Sequence, residues 1–263
     1  MFVVIVIACV GTVSAKAYTT PYDTTKTTTS TSTKTSTKNV KMSSKASKNS
    51  TSTKTSTSTK YTSSNTKTTE ISKKIVTTTK VTTKLTKGSK TKKVTTTVTT
   101  KTTTTTLYYF SGPLAVRKIA SKANGNVLSA YETLGFKVKV DPTVNYSGYF
   151  TAKDRIIILA RPDDDIYHEL GHFVSFVAGN TCDTSDFVNI YNAEKSKVTS
   201  ANKNYVTQNS SEYFAESYRD YILNPSKLKS TRPRTYTAMV NAVNKITTER
   251  VERIKNIYAS VWK

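Results

Sequence analysis

The stretch that decides the fold is Arg161-Pro-Asp-Asp-Asp-Ile-Tyr-His-Glu-Leu-Gly-His-Phe-Val-Ser-Phe-Val-Ala-Gly179. Pro162 near the first turn, aspartates at the cap and Gly179 after the last turn bracket one apolar helix. The chain has 2 histidines, and both fall here, as His168 and His172. On a helix, residues four apart project from one face, one turn above the other. Their ring nitrogens can then reach one Zn2+ at about 2.0 to 2.1 Å. Glu169, beside His168, is placed to take a proton from a water on that metal, a pattern whose chemistry is explicit. The bland reading is a pair of histidines packing or capping an amphipathic helix.

A zinc site needs a third protein ligand and an open fourth position. With no other histidine in the chain, that ligand must be a carboxylate or a thiolate. The segment Glu212-Tyr-Phe-Ala-Glu-Ser-Tyr-Arg-Asp-Tyr-Ile-Leu223 offers Glu212, Glu216 and Asp220 along one helical face. Such a stripe is often only a solvated face. Beside a motif short of one ligand, Glu212 becomes the natural candidate. Glu216, one turn on, is placed to hydrogen-bond a ligand histidine and set its tautomer.

Working outward, the sequence predicts a helix near 114–122 and a second from Asn126 to Leu134, ended by Gly135. A strand follows over Phe136–Val140. Residues 147–151 and 155–160 flank the polar turn Ala152-Lys153-Asp154 as a hairpin, with either run able to stand at the sheet edge. Further helices are predicted over Asp183–Lys197, over Glu212–Leu223 with Ser211 as cap, and from Tyr236 to Val261. Gly171, in mid-helix, costs about 1 kcal/mol relative to alanine, which close packing against a neighbour would explain. The fold class is α+β: a mostly helical domain with a small sheet, spanning 107–263.

Before this domain the chain changes character. Residues 18–106 are a Thr/Ser/Lys-rich tract with imperfect repeats and few large apolar residues, expected to be a disordered linker. The formal net charge is +23, and most of it sits in the tract. Such a tail suits a polyanionic wall or surface polymer, or a spacer kept extended by its own repulsion. Specific nucleic-acid recognition is not expected. Residues 1–17 read as a secretory signal: an apolar run too short to span a bilayer, with Val13, Ala15 and Ala17 in a small-x-small pattern. The mature protein is then expected to be extracellular, with no membrane-spanning segment. Cys182 would be its sole cysteine, so no internal disulfide is possible.

His168 to His172, Tyr205 seven residues before Glu212, and residues 212–221 together resemble the catalytic domain of anthrax lethal factor. They are also similar to the small clostridial endopeptidases that cleave between two prolines. The spacing from His172 to Glu212 is closer to the latter. The resemblance covers about 145–235, more loosely 107–263, and leaves the tract outside. It implies a zincin-like fold, one Zn2+ per chain, a polypeptide substrate and Glu212 as third ligand. It also implies that Tyr205 stabilises the transition state, and it makes proline-rich sites the expected substrates. The competing expectation is a surface-binding protein whose tract is the active part and whose domain is inert.

Overall fold

The computed structural model describes residues 20–65 and 69–262. The segment read as a signal, 1–17, lies outside them. The elements run in chain order: β1 (Thr24–Lys41), β2 (Ser50–Asn65), β3 (Thr69–Leu85), β4 (Thr91–Tyr108), β5 (Gly112–Leu114), α1 (Val116–Ile119), α2 (Gly125–Thr133), β6 (Lys137–Val140), β7 (Gly148–Thr151), β8 (Ile156–Leu159), α3 (Asp165–Val177), α4 (Ser185–Glu194), α5 (Lys203–Val206), α6 (Ser210–Leu223), α7 (Pro225–Thr231), α8 (Pro233–Asn244) and α9 (Thr248–Ile257). The architecture is α+β, as expected. Among the described residues no helix is long and apolar enough to cross a membrane.

The tract departs most from expectation. Its described part is not a disordered linker but a four-stranded antiparallel sheet in the order β1-β4-β3-β2. The reason is local. Threonine is β-branched and favours extended backbone, and its hydroxyls pair across strands: Thr33 to Thr99 at 3.3 Å, Thr35 to Thr97 at 3.2 Å, Thr37 to Thr95 at 3.2 Å. Asp23 ties the start of this sheet to the domain, accepting from Arg161 at 2.5 Å and from the backbone N–H of Phe110 at 2.8 Å.

The second sheet has the order β5-β6-β8-β7. Its β7–β8 hairpin is the one expected, and Arg155 takes a left-handed φ of 52° at the turn. β7 is an outer strand, which identifies the edge near the active helix. The apolar strand β8 lies inside, paired to both β6 and β7. This sheet positions the site by packing under α3.

α3 runs through the centre of the domain. Ile166, Leu170, Phe173, Val174 and Val177 are fully buried between the sheet and α6. Tyr131, Phe136 and Phe173 meet with ring centroids 5.1 to 5.3 Å apart. Truncating a ring so enclosed typically costs about 3 to 5 kcal/mol. α3 ends where Gly179 adopts a φ of 96° and Arg250 donates its Nε–H to the Val177 carbonyl at 2.5 Å.

Several boundaries differ from the sequence reading. Leu114 lies in β5, and α1 is a single turn. α4 is shorter than 183–197 because the Thr184 side chain caps it by accepting from the Phe187 N–H. α6 is capped by Asn209, not Ser211: the Asn209 side-chain Oδ1 accepts from the Glu212 N–H at 2.8 Å. The long final helix is two, α8 and α9. Thr247, with extended backbone, caps α9 through the Arg250 N–H at 3.3 Å.

Candidate metal and catalytic site

The histidines project from α3 towards the first turn of α6. Amphipathicity fixes this direction, because both helices bury their apolar faces in the same core. The helices approach closely where Gly171 faces Ala215: a Cβ at 171 would stand 2.6 Å from the Ala215 Cα. Gly171 is therefore a packing glycine. Without it, Glu212 would be held further from the histidines.

The geometry is compact. His168 Nε2 lies 3.1 Å from a Glu212 oxygen, and His172 Nε2 lies 3.7 Å from the same oxygen. One ligand atom from each of His168, His172 and Glu212 can be chosen within 4.8 Å of the others. The imidazoles sit edge to face with centroids 5.2 Å apart. The back of each ring is also occupied. His168 Nδ1 meets a Glu216 oxygen at 3.2 Å, and His172 Nδ1 meets the Ser211 hydroxyl at 3.3 Å. Both rings thus turn Nε2 inward, and two imidazoles with one carboxylate make a donor set that fits a divalent ion such as zinc.

The electrostatics agree with that fit. Burial alone would push His168 towards the neutral form, but its hydrogen bonds to the Glu212 and Glu216 carboxylates overcome it and raise its pKa to about 9. Burial would raise Glu212, yet His168 and His172 hold its carboxyl well below the usual range. The cluster therefore stabilises a positive charge at its centre.

Glu169 is buried beside the histidines, and burial raises its pKa. β7 passes directly over it: a Cβ on Gly148 would lie 2.3 Å from Glu169 Oε1. A side chain at 148 would force the Glu169 side chain to shift. Tyr205, on α5, is 55% exposed, with its ring centroid 6.4 Å from that of His168. Burial of the hydroxyl, then the Glu212 and Glu169 carboxylates, raises its pKa to about 12. Ser147, Gly148, Glu169, His168, Tyr205 and Arg219 border one polar cleft.

Of the residues singled out from sequence, His168, Glu169, His172, Tyr205, Glu212 and Glu216 come together. Asp220 does not: its carboxylate pairs with Arg232. Cys182 is buried, and burial raises its thiol pKa, which makes it a poor nucleophile. Sequence reasoning missed three contributors. Ser211 was read as a cap, Gly148 carried no signal, and Arg219 joins Asp165 at 3.3 Å to Glu216 at 3.8 Å.

Comparison with known proteins gives two findings. A family model described as "Anthrax toxin lethal factor, N- and C-terminal domain" matches residues 47–242. The match takes in residues 47–106 of the tract, which the sequence reading left outside the likeness. A solved structure, the Pro-Pro endopeptidase PPEP-2 from Paenibacillus alvei, is 25% identical over 48% of this chain and 86% of that one, with a TM-score of 0.40. A search of curated proteins found no match.

Proposed function

We propose, from the premise that this chain belongs to the anthrax toxin lethal factor family of metallopeptidases, that it is a secreted zinc endopeptidase acting on extended polypeptides. The observation that carries the reading is the convergence of His168, His172 and Glu212 within 4.8 Å, with Glu169 buried alongside. These three would hold the ion, one per chain. When bound, the metal supplies a Lewis acid that polarises the scissile carbonyl and acidifies water.

The remaining work falls to the chain itself. Glu169, whose burial makes its carboxylate a stronger base, accepts a proton from the attacking water and passes it to the leaving amine. Tyr205 keeps its proton at neutral pH and so can donate a hydrogen bond to the developing oxyanion. Glu216 and Ser211 hold the imidazoles in orientation. β7 is an outer strand among the described residues, a position that suits pairing with an extended substrate backbone. Gly148 lets that strand lie over Glu169 without a side chain between them. Proline-rich sites are the substrate class this reading favours, and an extracellular location follows from the reading of residues 1–17 as a signal.

Cleavage profiling on a peptide library tests this. The wild type is expected to cut, and Glu169→Gln to lose activity by at least about a thousandfold while keeping its metal. Equal activity of the two would remove Glu169 from the chemistry. An inert wild type that carries its metal would end the endopeptidase reading.

A further inference from the structure

The tract sheet has an unusual composition for its size. Its strands contain thirteen lysines and one acidic residue, Glu70. β1 is exposed along nearly its whole length, so no second layer covers that strand. A sheet normally needs one apolar face buried to be stable.

The register sorts its side chains, because directly paired residues share a face. One face carries the rows Val40–Lys92–Leu85, Lys38–Val94 and Lys34–Val98. There the three valines and Leu85 are half-buried, while Lys34 and Lys38 are exposed. The other face carries the rows Thr37–Thr95, Thr35–Thr97, Thr33–Thr99 and Thr29–Thr103, with hydroxyls paired at 3.2 to 3.4 Å. Glu70 stands in register with Leu107 on this threonine side. Lysines stand on both faces, with Lys41, Lys84, Lys93 and Lys101 on the second. What sets the first apart is that its lysines alternate with aliphatic rows, whereas the second pairs its threonine hydroxyls with one another.

From this placement we propose that the Val/Lys face of the β1–β4 sheet docks on an anionic lipid surface. Charge complementarity requires an anionic partner and argues against a second copy of the same basic sheet. The interleaving decides between a lipid surface and a soluble polymer. A polymer of phosphates or sulfates would meet the lysines but leave Val94 and Val98 in water. A bilayer interface takes both: aliphatic side chains enter the acyl boundary, and lysine stems reach back to the headgroups. The site would then act on substrates held near that surface. Docking itself does not depend on the catalytic reading.

The test is co-sedimentation of the full chain with vesicles of phosphatidylglycerol and phosphatidylcholine, or of phosphatidylcholine alone, at physiological salt. Wild type is expected to bind the first and not the second. Lys34→Gln, Lys38→Gln and Lys92→Gln together are expected to weaken binding roughly a hundredfold, about fivefold per lysine. Lys84→Gln, Lys93→Gln and Lys101→Gln, an equal charge change on the threonine face, are expected to weaken it less than about tenfold. Val94→Ser with Val98→Ser should weaken it without any charge change, and Thr97→Ser with Thr99→Ser should not. Equal losses from the two lysine triples would overturn the proposal, since net charge alone would then explain binding. So would binding to heparin without binding to vesicles, or self-association in place of vesicle binding. The lysine triples alter no apolar position, so they remain decisive if the valine pair fails to fold.

Discussion

Ser211 shows how much a single hydroxyl can set. His168 is backed by a carboxylate, but His172 is backed only by the Ser211 Oγ at 3.3 Å. Loss of such a partner typically costs about 10- to 100-fold in metal affinity. Ser211→Ala is therefore expected to weaken zinc binding about tenfold in a chelator competition, with the far-ultraviolet dichroism of the metal-free protein unchanged. Ser211→Thr should restore most of the loss, whereas a purely structural role would show as altered folding in both. At this scale the sequence was legible where chemistry is tied to spacing. His168, Glu169 and His172 announce themselves by type and interval, and Glu212 is the first of three carboxylates spaced along one helical stretch, the one the family resemblance points to. Ser211 and Gly148 do not, because a serine beside a cap and a glycine in a short strand have many ordinary uses. Their roles exist only once α3, α6 and β7 are brought together.

Among the elements, the pairing of α3 with α6 matters most, since it joins the two histidines to their carboxylate. A Cβ at position 171 would meet backbone of Ala215 at 2.6 Å, and backbone cannot rotate away. Gly171→Ala gains about 1 kcal/mol of helix propensity, yet overpacking of this kind typically costs about 1 to 3 kcal/mol. The expected result is a lowered melting temperature together with weaker zinc binding, because the helices separate at the site. A rise in melting temperature with metal retained would show that the helices can adjust. Helical periodicity made α2, α3 and α6 readable from sequence. It failed at the last helix because the apolar period continues across the break between α8 and α9, while Thr247 and its cap interrupt the backbone.

The whole molecule joins a helical catalytic domain to a long sheet of low-complexity sequence. That sheet was not legible from composition, which counts too few apolar residues to stabilise a core. The cross-strand register supplies what composition hides: hydroxyl pairs on one face and aliphatic rows on the other. Because β4 lies between β1 and β3, its amides should exchange with deuterium at least about tenfold more slowly than those of the outer strands β1 and β2. Uniformly fast exchange across residues 24–108 would mean that the strands do not persist in solution. The same family match spans part of this sheet and most of the domain, residues 47–242, so the two are parts of one family pattern.

The central claim is that two imidazoles on α3 and one carboxylate on α6 hold a catalytic zinc. Anomalous diffraction at the zinc absorption edge, on crystals of the purified full chain, tests it most directly. One peak enclosed by His168 Nε2, His172 Nε2 and the Glu212 carboxylate is the predicted result. Stoichiometric zinc whose peak lies elsewhere, with those three side chains away from it, would contradict the account.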